Sequence, residues 1–218
     1  MALWRPVRAL SLALLLACGP ALAQPQVTVV ERQSFTGDEL GVPEGYTHRM
    51  RLAVVLLDGG GWTRGQAMVA VLQASPILGQ CGLAFEQVEF HVVEVPASHL
   101  DFSTPAAREL ARAYSVPRPA VYLVRDTKNR PAFEAEAVGR GNSGMRPEIA
   151  DTVWITAGVR DPGVALAHEL AHVLMDSGEH SSEAGNLMRD ETSARNKSLS
   201  AAQCTRLRDI GRANGLLK

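Results

Sequence analysis

Apolar and polar positions along the chain fall into short runs whose spacing switches between strand and helix periods. Residues 50–57 (MRLAVVLL) form an apolar, β-branched run closed by Asp58-Gly59-Gly60-Gly61, which predicts a buried strand entering a turn. A helix is expected next. Thr63 and Gln66 have capping-box spacing, Met68, Val69, Val71 and Leu72 supply an apolar face, and Pro76 kinks or restarts the helix before Cys81-Gly82 ends it. Phe85, Val88, Phe90, Val92 and Val93 predict a strand within 84–95, and Thr104-Pro105 opens a short helix reaching about Tyr114. Residues 120–125 (AVYLVR) predict a further strand. Over 132–138, Phe133, Ala135 and Ala137 alternate with Glu134 and Glu136, the pattern of an edge strand with one wet face. A loop with Gly139, Gly141 and Gly144 leads to a strand at 152–156 (TVWIT). Asp161-Pro162 starts a helix that Gly178 is placed to stop, and Ser200 with Gln203 opens a last helix carrying Cys204, Leu207 and Ile210 on one side. Upstream, residues 24–46 are polar around a brief valine-rich run at 27–30 and read as an arm or edge strand.

Composition places this series in a globular protein: 46% of the 218 residues are hydrophobic and 21% charged, with a net charge of −1. Such a balance offers no excess positive charge to a phosphate backbone, and no Lys/Arg block occurs, so nucleic acid is excluded as a partner. Residues 1–23 carry Arg5 and Arg8, an apolar run over 9–17 and a small-residue site at Ala21-Leu22-Ala23, which reads as a secretory signal peptide. Its removal leaves 20 basic against 23 acidic residues, a net charge of −3. A rival reading takes Leu15-Leu16-Ala17-Cys18 as a lipobox that anchors the chain through Cys18. No apolar run approaches the ~20 residues of a transmembrane helix. The expected location is therefore exported, periplasmic or secreted. In either case Cys81 and Cys204 remain, and an even pair in an exported protein is most simply a disulfide.

Chemistry concentrates in Ala167-His168-Glu169-Leu170-Ala171-His172-Val173-Leu174. On a helix His168 and His172 are four residues apart and project from one face, so both imidazoles reach one metal ion while Glu169 lies beside a metal-bound water. Leu166, Leu170, Val173 and Leu174 give the same helix apolar surface to bury. This is the H-E-x-x-H arrangement of zinc peptidases. Two histidines leave a catalytic zinc site short of a ligand, and downstream candidates are His180 or an acid, Glu179 or Glu183.

The stretch from His168 to Met188 resembles the metzincin clan of zinc endopeptidases, its matrixin-like branch in particular. There the active-site helix ends at a glycine, a third histidine follows, and a methionine turn passes beneath the metal. His180-Ser181 and Asn186-Leu187-Met188 are similar to that arrangement, with eight residues from histidine to methionine. The resemblance implies His168, His172 and His180 as ligands of one catalytic zinc ion, Glu169 as general base and Met188 as the methionine-turn residue. It also implies an α+β, metzincin-like fold with a mixed twisted sheet, a backing helix, an active-site helix and a short C-terminal subdomain. On that basis the chain divides into a signal peptide at 1–23, an arm at 24–46 and a catalytic domain at 47–218, whose N-terminal subdomain reaches about 180. The clan spacing would put glycine at 175 and histidine at 178, where this chain has Met175 and Gly178, so two residues are extra. A slightly longer helix is the expected way to absorb them, with Asp176 capping or turning its end.

The implied activity is hydrolysis of protein or peptide bonds by a zinc-activated water. An extended substrate would pair with the edge strand at Phe133, Ala135 and Ala137. Two other readings fit the motif: an envelope binding or structural protein with this fold that cleaves nothing, and a zinc amidase acting on cell-wall amide bonds.

Overall fold

In the computed structural model, residues 24–42, 45–141 and 143–218 are described. The signal-peptide and Cys18 readings fall on residues outside these. Six strands form one mixed sheet in the order β1-β3-β2-β4-β6-β5. They are β1 (Thr28–Thr36), β2 (His48–Leu57), β3 (Leu83–Glu94), β4 (Ala120–Val124), β5 (Ala135–Val138) and β6 (Thr152–Thr156). The central β3, β2, β4 and β6 run parallel, and β1 and β5 close the two edges antiparallel. The arm predicted at 24–46 thus contributes an edge strand of the same sheet.

Four helices cover the sheet: α1 (Arg64–Gly79), α2 (Thr104–Ala113), α3 (Pro162–Met175) and α4 (Ala201–Ala213). Parallel β2 and β3 are joined by a crossover through α1, and α2 carries the chain from β3 back to β4, whereas β4 reaches its parallel neighbour β6 by way of the edge strand β5. One core lies where α1, α3 and α4 meet the sheet, with Leu52, Val54, Leu56, Val71, Ile155, Leu170 and Leu207 buried in it. The other lies beneath α2, where Tyr122 stacks on Trp154 at 4.2 Å and Phe102 packs edge-on against Phe133.

Local chemistry explains the helix limits. Both capping boxes form, Thr63 with Gln66 at α1 and Ser200 with Gln203 at α4. Helix α1 runs through Pro76 without restarting, because the carbonyl that loses its partner there belongs to the exposed turn at Leu72. Ser103 caps α2, one residue before the expected Thr104 start. Pro162 occupies the first position of α3, but the Asp161 side chain makes no capping bond.

At the far end of α3, Asp176 turns the chain as expected, ahead of Gly178. The helix stops at Met175 rather than continuing to Gly178, with Asp176 in the left-handed region at φ 44° and ψ 51°. Aspartate is among the few residues that visit that region routinely, so the turn needs no glycine.

Packing around α3 is close. A Cβ on Gly163 would lie 2.3 Å from the Gln73 Cβ of α1, and one on Gly211 of α4 would lie 3.2 Å from Leu174. A disulfide joins Cys81, just past α1, to Cys204 in α4 across 123 residues of sequence. Replacing both cysteines by serine is expected to cost about 2–4 kcal/mol of stability, because so long a closed loop restricts the unfolded chain strongly. Urea unfolding of the oxidised protein and the double variant measures the difference, and coincident transitions would contradict it.

Candidate metal centre

Every residue of α3 after Pro162 is buried, so His168, Glu169 and His172 are held by a packed helix rather than by a loop. His168 Nδ1 lies 2.7 Å from the Leu187 carbonyl and His172 Nδ1 lies 2.6 Å from the Ser177 carbonyl. Carbonyl oxygens only accept, so in the neutral ring each Nδ1 carries the proton and each Nε2 presents a bare lone pair. Those lone pairs converge. His172 Nε2 stands 2.9 Å from His168 Nε2 and 3.3 Å from His180 Nε2.

This geometry tests whether a metal fits. Four-coordinate zinc at about 2.0–2.1 Å from each imidazole nitrogen places neighbouring nitrogens ~3.3 Å apart. Facing lone pairs at that distance repel one another unless a cation lies between them. The three side chains together offer nitrogen atoms within 4.8 Å of one another. Burial, reinforced by His168 nearby, lowers the His172 pKa to about 4, and burial lowers that of His168 as well. Both rings are thus neutral at physiological pH, the form that ligates.

The acids considered as third ligand point elsewhere. Glu179 pairs with Arg206 at 2.7 Å, and the Glu183 carboxylate accepts from the Asn186 side chain. His180 is partly exposed, and its Nδ1 lies 3.6 Å from Asp190. His48, His91 and His99 hydrogen-bond Thr47, Tyr114 and Glu109 in turn, away from the cluster.

Glu169 is 6% exposed. Desolvation, with the nearby Glu136 charge adding to it, raises its pKa to about 8, against a hydrogen bond from the Ala137 backbone that favours the ionised form. Met188 is buried, and its turn acts through backbone atoms. The Leu187 carbonyl orients His168, and the Met188 carbonyl accepts from the Ser181 amide at 2.6 Å, beside His180. The turn is braced by Asn186, which exchanges side-chain bonds with Gln203 at 3.0 and 3.1 Å.

The cluster opens into a cleft of about 810 Å³. Strand β5 and the preceding Phe133 form one wall, and Ser177, Gly178, His180 and Asp190 line it as well. Ala135 and Ala137 belong to β5 and pack toward the α3 side of the sheet. Phe133 breaks the expected alternation. It precedes β5 and packs on the opposite core, because strand pairing begins only at Ala135 while Glu134 bonds Thr156 through its carbonyl. Glu136, read as wet, is half-buried, and its pKa is raised by desolvation against the pull of Arg146 and Asn129. Arg160 also lines the cleft, and no spacing in the sequence signals it.

No family model matches this chain, and no curated protein does. Among solved structures it is similar to metalloproteinase-II from Bacteroides fragilis, with a TM-score of 0.52 and 18% identity, over 77% of this chain and 55% of that one. The fold is a metalloproteinase fold. The chain spans just over half the length of that protein, and at this identity the likeness concerns architecture. The likeness is one of fold, and among the described residues His168, His172 and His180 form a group that could hold a metal ion.

The tautomers give a direct check. Nitrogen NMR of the metal-free protein near pH 7.5 should show His168 and His172 as Nδ1–H tautomers. Equimolar zinc should shift their Nε2 resonances and leave the Nδ1 protons in place. An Nε2–H tautomer at either residue in the metal-free protein, or Nε2 resonances unmoved by zinc, would overturn the assignment.

Proposed function

We propose that this chain is an exported zinc-dependent endopeptidase of metzincin type, with His168, His172 and His180 holding one zinc ion and Glu169 as general base. The observation that carries the proposal is the convergence of three imidazole Nε2 atoms beside a buried carboxylate, at the foot of a cleft walled by a sheet edge. Zinc held by three imidazoles supplies Lewis acidity, which acidifies water and polarises a carbonyl.

The chain's own groups supply the rest. Glu169 sits one residue from His168 with its carboxylate held by the Ala137 amide, in position to accept a proton and return it to a leaving amine. Its pKa of about 8 without an ion shows how dry its surroundings are, and a neighbouring cation favours the ionised, proton-accepting form. The edge of β5 supplies pairing groups for an extended peptide. The Glu134 carbonyl turns toward Thr156 on β6, so by alternation the backbone groups of Ala135 and the Ala137 carbonyl face outward to the cleft, while the Ala137 amide is taken by Glu169.

Export is supported by the Cys81–Cys204 disulfide, which suits an oxidising compartment, and by the signal-peptide pattern at 1–23. No described helix is long and apolar enough to cross a membrane. The His180 to Met188 spacing supports the metzincin type, with the methionine turn contributing the carbonyl that orients His168.

Metal analysis combined with casein cleavage tests this. The wild type should hold one zinc per chain and cut casein, and His180→Ala should lose the metal. Glu169→Ala should keep zinc while cleavage falls by about 10²- to 10⁴-fold, the usual contribution of a general base. A zinc-loaded wild type that leaves casein intact would overturn the peptidase reading. Release of fragments from cell-wall material by that protein would point to an amidase instead.

A further inference from the structure

Helix α3 ends at its C-cap, Asp176. Asp176 is one of two non-glycine residues with positive φ among those described, at φ 44°. A glycine would occupy that conformation at lower cost, so the side chain has to offset the difference. What it does is specific. Asp176 Oδ1 accepts the Gly141 amide at 2.8 Å, just beyond the end of β5.

The fit around this carboxylate is tight from both sides. A Cβ on Gly139 would lie 2.8 Å from Asp176 Oδ1, and one on Gly141 would lie 3.4 Å from it. Between these glycines, Arg140 bonds Asp151 at 2.9 Å and the Asn214 carbonyl at 2.6 Å. The segment leaving β5 is therefore fixed to the ends of α3 and α4 and to the approach to β6. On its other side Asp176 governs the turn that brings the Ser177 carbonyl to His172 Nδ1. One residue thus touches the structure that sets both the cleft wall and a metal-facing ring.

We propose that Asp176 is a positioning residue that latches the downstream end of β5 to the C-terminus of α3, holding the substrate-pairing edge at a fixed distance from the metal-binding face. Its consequence for substrate rests on the peptidase reading above; the latch itself does not. Backbone and side chain make separable contributions. Asp176→Gly keeps the left-handed turn, and with it the Ser177 carbonyl and the metal, but removes the latch. Asp176→Asn keeps both, since asparagine also tolerates this region and offers Oδ1 to the Gly141 amide.

The experiment compares wild type, Asp176→Gly and Asp176→Asn as zinc-loaded proteins by hydrogen exchange at residues 139–141 and by peptide cleavage kinetics. Exchange of the Gly141 amide should accelerate about fivefold or more in Asp176→Gly and stay near wild type in Asp176→Asn, with zinc content equal in all three. KM should rise by a similar factor in Asp176→Gly with kcat nearly unchanged, and Asp176→Asn should restore it. Unchanged exchange at Gly141 in Asp176→Gly, or an Asp176→Asn variant as impaired as Asp176→Gly, overturns the latch. Faster exchange with an unchanged KM overturns its role in substrate positioning. If the wild type cleaves nothing, the peptidase reading falls, and exchange at Gly141 alone still decides whether the latch exists.

Discussion

The Nε2 lone pairs of His168 and His172 face each other at 2.9 Å and repel, and much of this structure serves to hold them there. His168 and His172 could each relieve the repulsion by rotating or by moving the ring proton to Nε2. Both escapes are closed by a backbone carbonyl on Nδ1, from Leu187 and from Ser177. A neutral hydrogen bond of this kind contributes about 1 kcal/mol net, but leaving a buried carbonyl unpaired costs about 1–3 kcal/mol, and that asymmetry fixes the rings. Burial also disfavours the charged ring, the other route by which a histidine could acquire an Nε2 proton.

Each of those carbonyls depends on structure further out. Leu187 lies in a turn braced by Asn186, which is held by Gln203, the same side chain that completes the capping box of α4. The next residue is Cys204, tied across the core to Cys81 at the end of α1. Helix α1 in turn packs on α3 closely enough that Gly163 has no room for a side chain. A path of hydrogen bonds, one covalent link and one tight helix contact thus runs from the histidine-bearing helix back to itself.

What the sequence revealed was whatever is encoded locally. Two capping boxes, the β-branched run of β2, the apolar run of β4 and the His168-Glu169-His172 spacing all lie within a few residues and follow from propensity and geometry. The sheet edge at β5 was legible as alternation, but its start was not. Phe133 continues the period on paper and leaves it in space, because its ring is drawn to Phe102 in a core assembled from distant segments. The second use of Gln203 was equally hidden, since one capping side chain gives no sign that it also reaches a turn 17 residues earlier. Nor could residue types reveal the two orienting carbonyls, which every residue possesses.

The spacing between His172 and His180 shows how a local irregularity is resolved by a distant partner. The resemblance places a helix-ending glycine at 175 and a histidine at 178. A single added residue in a helix advances its end by about 1.5 Å and rotates it by about 100°, which would send the exiting chain off in another direction. Here the left-handed residue comes at 176, one position late, and His180 follows it four positions on rather than three. The two insertions thus fall one on each side of the turn. The added helical residue changes the exit, and the added turn residue gives the chain the slack to bring His180 within 3.3 Å of His172. The left-handed position faces the loop after β5, where the Asp176 carboxylate accepts the Gly141 amide and a glycine would offer no acceptor. One aspartate thus serves the turn with its backbone and the loop after β5 with its side chain.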